Sequence, residues 1–187
     1  MDIFISWSKE RSKFIANALS QWLPDVIQRN VRPWMSASDI APGERWNQKV
    51  AEQLAQSKVG IICLTPENLT APWILFEAGA ISKTYKDSFV YPYIHDLGEL
   101  ELPGPLGQFQ TTTADREGTR TLVRSINSAL GADGLAAEAL ERSFSRWWPL
   151  LNKEFKKIPT LEVEPDLPMR VDVLRHTSEA FKRSARF

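Results

Sequence analysis

Val59-Gly60-Ile61-Ile62-Cys63-Leu64-Thr65 is a near-continuous apolar run. A strand with one wet face alternates apolar and polar residues; a run without that beat predicts a central parallel strand covered on both faces. Working upstream, Trp46, Val50 and Leu54, followed by the polar Ser57, mark an amphipathic helix. Downstream, residues 66–71 read as a loop, and Pro72 fits the first turn of the helix that follows. Further out, residues 1–7 form a short bulky strand. Phe14, Ile15, Leu19, Trp22 and Leu23 predict a helix over about residues 9–23, with Ser8 as its N-cap and Pro24 as its end or a kink. Residues 31–34 and 89–94 read as strands, residues 121–130 as a helix, and residues 109–112 as a short strand within a Gly/Pro-rich stretch. Strand and helix alternate throughout, which predicts an α/β domain with a mostly parallel sheet.

After Gly131 the pattern changes. Leu135, Leu140, Phe144, Trp147, Trp148, Leu151 and Phe155 give one wide apolar face on a helix of about residues 134–157, with Pro149 expected to kink it. That face is expected to dock on the α/β domain or on another subunit. Pro159, Pro165 and Pro168 punctuate a linker, and residues 172–187 read as a short terminal helix with Leu174 and Phe181 inward. The expected division is a domain over residues 1–131 and a helical extension over residues 132–187.

Composition narrows the function. Lys plus Arg and Asp plus Glu are equal at 23 each, so no strong field points to nucleic acid or an acidic membrane. No apolar run approaches the ~18–20 residues of a membrane span. No basic-then-apolar leader is visible at the N-terminus. The lone Cys63 reads as a small buried apolar group in a reducing compartment. These features together predict a cytoplasmic protein. There is no Gly-Lys-Ser/Thr phosphate loop and no Gly-x-Gly-x-x-Gly after the first strand. With His95, His176 and one cysteine, no metal site is expected. His95-Asp96 admits a Ser-His-Asp reading, but no Gly-x-Ser-x-Gly elbow accompanies it, and a polar turn at a strand end fits better.

One constellation remains. In Pro72-Trp73-Ile74-Leu75-Phe76-Glu77-Ala78-Gly79-Ala80, Trp73 and Glu77 are four residues apart and share a helix face. The acid has apolar neighbours on both sides, so it is expected to be paired, partly hydrated or functional. In open parallel sheets the site lies beyond the carboxyl ends of the strands. That rule places Ser6 and Trp7, the loop from Met35 to Arg45, and residues 65–73 on one rim, with Glu77 a turn behind it.

Asp2-Ile3-Phe4-Ile5-Ser6, the loop ending Pro42-Gly43-Glu44-Arg45-Trp46, the strand Ile61-Ile62-Cys63-Leu64-Thr65, and Trp73-x-x-x-Glu77 together resemble a bacterial Toll/interleukin-1 receptor (TIR) domain. The resemblance covers roughly residues 1–131. It implies a flavodoxin-like three-layer α/β/α fold and, as in many bacterial members, cleavage of NAD at the nicotinamide–ribose bond. It puts the catalytic glutamate at Glu77 and substrate contacts at Ser6, Trp7, Trp46 and Trp73; Ser36 and Arg45 of the second loop join them as candidate substrate contacts. Many relatives carry an acid early in the second loop; this chain has Ser36-Ala37-Ser38 before Asp39.

The chemistry suits these residue types. Loss of nicotinamide leaves an oxocarbenium-like ribose that one carboxylate can stabilise. Trp46 and Trp73 offer flat faces to the rings, and Arg45 a fork for the pyrophosphate. Trp46 reads equally well as a core anchor of its helix. NAD is then substrate rather than cofactor, and no cofactor or metal is expected. The resemblance further implies a homo-oligomer built through TIR–TIR contacts and a product read by a separate effector, as in antiphage systems such as Thoeris. The other reading is a non-enzymatic TIR adaptor or scaffold.

Overall fold

In the computed structural model, residues 1–28, 30–35, 57–69, 89–97, 102, 106–107 and 109–160 are described. Their strands are β1 (Asp2–Ser6), β2 (Arg32–Met35), β3 (Val59–Leu64), β4 (Phe89–Ile94) and β5 (Thr112–Thr113). Their helices are α1 (Glu10–Val26), α2 (Arg116–Ala129) and α3 (Ala137–Phe155), with short 3-10 turns at Pro66–Asn68 and Gly131–Asp133. The helices expected after Trp46, around Glu77 and at residues 172–187 lie outside the described residues.

The five strands form one sheet in the order β2-β1-β3-β4-β5. Each neighbouring pair is parallel. All six β3 residues are buried. Their side chains divide between two cores: Ile61 and Cys63 join Ile3 and Ile5 on one face, while Ile62 and Leu64 join Phe4 on the other. A strand that feeds two cores has no position left for a polar residue, which accounts for its unbroken apolar sequence.

The first face carries α1, α2 and α3. Ile15, Leu19, Trp22 and Leu23 of α1, Leu122, Val123 and Ile126 of α2, and Leu140, Phe144, Leu151 and Phe155 of α3 belong to one cluster. The apolar face of residues 134–157 therefore docks within the chain. It is fixed there by Trp22 Nε1 donating to the Trp147 carbonyl at 2.8 Å and Ser143 Oγ donating to the Val26 carbonyl at 2.7 Å. No described helix is long and apolar enough to cross a membrane.

Helix ends differ from the sequence reading in instructive ways. Ser8 is not the cap of α1. The residue before the helix is Lys9, whose side chain makes no cap. Instead Ser12 reaches back, accepting from Ser8 N–H at 3.0 Å and donating to the Ser8 carbonyl. Pro24 and Pro149 both lie inside helices that continue past them. Each ring removes one backbone donor. Val26 and Ile27 after the first and Leu151 and Phe155 after the second are buried, and that burial carries the helix on.

Candidate functional site

In this strand order β1 sends its chain by way of α1 to β2 on one side and pairs with β3 on the other. The carboxyl edge between β1 and β3 is thus the topological switch point, the crevice where open α/β sheets bind ligands. Ser6 is the last residue of β1, opposite Ile62, and is fully buried. Trp7 follows it, half-buried against the α1 core. Its indole Nε1–H is buried without an acceptor among the described residues, and Lys13 Nζ stands 5.2 Å from its ring centroid.

The turn from Trp7 into α1 is held in a conformation that its sequence resists. Lys9 has φ 70° and ψ 164°, a region natural to glycine. The Ser12 bonds to Ser8 oppose that cost, as does Asn68 Nδ2, which donates to the Ser8 carbonyl at 3.1 Å. Asn68 is fully buried and spends its whole amide on this junction. Nδ2 also donates to the Cys63 carbonyl at 3.0 Å, and Oδ1 accepts from Thr65 N–H at 2.9 Å. One side chain thereby ties the end of β3 to the end of β1.

Beside it lies a charged cluster built from three segments. Arg11, in the first turn of α1, is 5% exposed. Its Nη1 donates to Glu67 Oε2 at 3.3 Å, and its Nη2 is paired with Asp96 Oδ2. Glu67 belongs to the turn after β3, and Asp96 to the turn after β4 at φ 53°, a left-handed conformation aspartate tolerates. His95 Nε2 stands 3.6 Å from Asp96 Oδ2, and its ring lies 6.3 Å from that of Phe155. Burial pushes the His95 imidazole below its usual pKa; Asp96 opposes this, Arg11 adds to it, and Glu67 opposes it again. At 3.6 Å from His95 Nε2, the Asp96 carboxylate lies beyond hydrogen-bond distance and does not orient the ring as the acid of a Ser-His-Asp arrangement would. Burial pushes the Cys63 thiol up, consistent with an inert core group.

Of the residues singled out in the sequence, Ser6 and Trp7 stand together at the carboxyl end of β1. Ser36, Arg45, Trp46, Trp73 and Glu77 lie outside the described residues. The pattern did not single out Arg11, Glu67, Asn68 or Asp96 as a cluster. A signal for Arg11 was present: it precedes Ile15 by four residues and so falls on the apolar stripe of α1, where a charge needs partners. Nothing local announced Glu67 and Asp96 as those partners.

The TIR domain family matches residues 3–123, well over half of the chain. No curated protein matches it. Among solved structures, the azoreductase from Bacillus anthracis str. Sterne is similar at 11% identity over 81% of this chain and 98% of that one, with a TM-score of 0.34. Azoreductase AzrA is similar at 10% identity over 81% and 99%, also with a TM-score of 0.34. Similarity this low carries nothing about the chemistry of this chain.

Proposed function

The chain belongs to the TIR domain family, and from that premise we propose that it cleaves NAD at the nicotinamide–ribose bond. The observation that carries this reading is that residues 3–123 match the family, a span that includes Trp73-x-x-x-Glu77, on which the resemblance puts the catalytic glutamate. The parallel sheet with its β1/β3 switch point supports it by supplying the kind of edge where a nucleotide is bound.

In the proposed reaction the bond between ribose C1′ and the nicotinamide nitrogen breaks. Its electron pair goes to the pyridinium, which leaves neutral and needs no general acid. The Glu77 carboxylate stabilises the positive charge that develops on the ribose. Water then attacks C1′ to give ADP-ribose and a proton; alternatively a nucleophile within the same molecule closes a cyclic ADP-ribose isomer, or one from another molecule forms an ADP-ribose conjugate, with the same loss of a proton. Trp46, Trp73 and the Trp7 rim would hold the rings, Arg45 the pyrophosphate, and Ser6 and Ser36 the adjoining polar edge. The protein would act in the cytoplasm as a homo-oligomer, with its product signalling to a separate effector in antiphage defence.

The test is chromatography of nicotinamide after purified protein is incubated with NAD, comparing wild type with Glu77→Gln. Loss of a transition-state charge partner is expected to lower the rate about 10²- to 10³-fold with the melting temperature unchanged. Equal rates in the two proteins would refute the mechanism. A folded wild type that releases no nicotinamide at any protein concentration, or with infected-cell lysate added, would leave the TIR domain as an adaptor.

A further inference from the structure

We propose that Arg11 is a positioning residue for NAD cleavage, a clamp that fixes the root of the segment carrying Trp73 and Glu77 against the end of β1. The inference rests on the reading above. It starts from the placement of one guanidinium. Arg11 is anchored in the first turn of α1, immediately after the Trp7 rim, and its side chain is 6% exposed. One nitrogen of the fork holds Glu67 in the turn after β3, and the other holds Asp96 in the turn after β4.

Those three segments are the carboxyl ends of neighbouring strands in the order β1, β3, β4. The pairs therefore run across the edge of the sheet, just beyond the backbone bond from His95 N–H to the Leu64 carbonyl at 2.9 Å. Glu67 stands six residues before Trp73 and ten before Glu77. Asn68, next to Glu67, is locked to Ser8, Cys63 and Thr65. The chain thus departs toward Trp73 and Glu77 from a point held on both sides.

A charge buried this deeply is costly unless it is paired; here the two terminal nitrogens find carboxylates in two different turns, while Nε has no partner among the described residues. Losing the guanidinium would strand Glu67, at 18% exposure, release the turn at Asp96, and leave the turn at Glu67 resting on the bonds of Asn68. The proposed consequence is misplacement of the Glu77 carboxylate, ten residues on, relative to the breaking bond. Misplacement of that kind is expected to act on turnover rather than on binding. Lysine cannot replace arginine in this role, because a single ammonium does not span two carboxylates the way a planar fork does.

The experiment compares wild type, Arg11→Met, Arg11→Lys and the triple variant Arg11→Met/Glu67→Gln/Asp96→Asn, which leaves no charge unpaired. Nicotinamide release gives kcat and KM, and amide hydrogen exchange reports on residues 66–69 and 95–97. For both single variants and the triple variant, kcat is expected to fall about 10²-fold with KM nearly unchanged, and exchange to quicken in both turns. If Arg11→Met does not fold, the triple variant carries the measurement. Wild-type kcat in any folded variant lacking Arg11, or exchange unchanged in either turn, would overturn the proposal. If wild type itself does not cleave NAD, the catalytic reading falls with it, and the exchange data alone decide whether the clamp exists.

Discussion

His95 shows how one residue at this edge links the cluster to stability. Its imidazole sits between the Asp96 carboxylate and the Phe155 ring, and burial keeps it below its usual pKa. In the unfolded chain a histidine titrates near ~6.5. Between that value and the lower folded one the unfolded chain holds more protons, so the fold loses stability as pH falls through this interval and regains it above. The urea midpoint of wild type is therefore expected to drop from about pH 7 to about pH 5, and His95→Gln to flatten that slope. Parallel midpoint curves for the two proteins would remove His95 from the balance.

At the scale of elements, α2 offers a sharper test because propensity and packing oppose each other there. Asp115 caps the helix, its side chain accepting from Gly118 N–H at 2.8 Å. Although burial pushes the Asp115 carboxyl upward, the hydrogen bonds from Gly118, Thr113 and Glu117 outweigh it and hold the carboxyl below its usual range. Gly118 itself lies against β5: a Cβ there would come 2.2 Å from the Thr113 carbonyl oxygen and 2.7 Å from its nitrogen. Helix propensity alone favours Gly118→Ala by ~1 kcal/mol. The clash with backbone is expected to win by about 1–3 kcal/mol, lowering the melting temperature by several degrees. A rise in melting temperature would show that β5 does not pack as closely as described.

The same helix marks where sequence reading stops. Leu122, Val123 and Ile126 reveal its body, but its first turn, Arg116-Glu117-Gly118-Thr119, has no apolar rhythm. The expected start at residue 121 was therefore late, and only the cap and the glycine contact set the true one. The strands were legible because burial on two faces writes itself directly into β1, β3 and β4. Of the site, Ser6 and Trp7 could be placed from the end of β1. Arg11 with Glu67 and Asp96 could not, because ion pairs between distant segments leave no local pattern in any of them.

For the whole molecule, the family match and the physical folding unit end at different places. The match stops at residue 123, inside α2. Yet Leu140, Phe144, Leu151 and Phe155 of α3 are buried in the same cluster as Ile15, Leu19 and Trp22 of α1. Each such side chain is worth about 1.5–3 kcal/mol when fully buried. Four of them together rival the ~5–15 kcal/mol by which a whole domain is stable. Removing α3 would also strand the Trp22 indole N–H, which now donates to Trp147, and leave Arg124 without Glu141, 2.7 Å away. A chain ending at Gly131 is therefore expected to lose its cooperative melt and to bind a hydrophobic dye, although it holds everything the family match covers. A chain ending at Thr160 keeps every buried contact named here and is expected to melt as the full chain does. Differential scanning calorimetry of the two truncations decides the matter. A cooperative transition in the shorter chain would make α3 an appendage rather than part of the fold, and a lost transition in the longer one would place part of the core beyond residue 160.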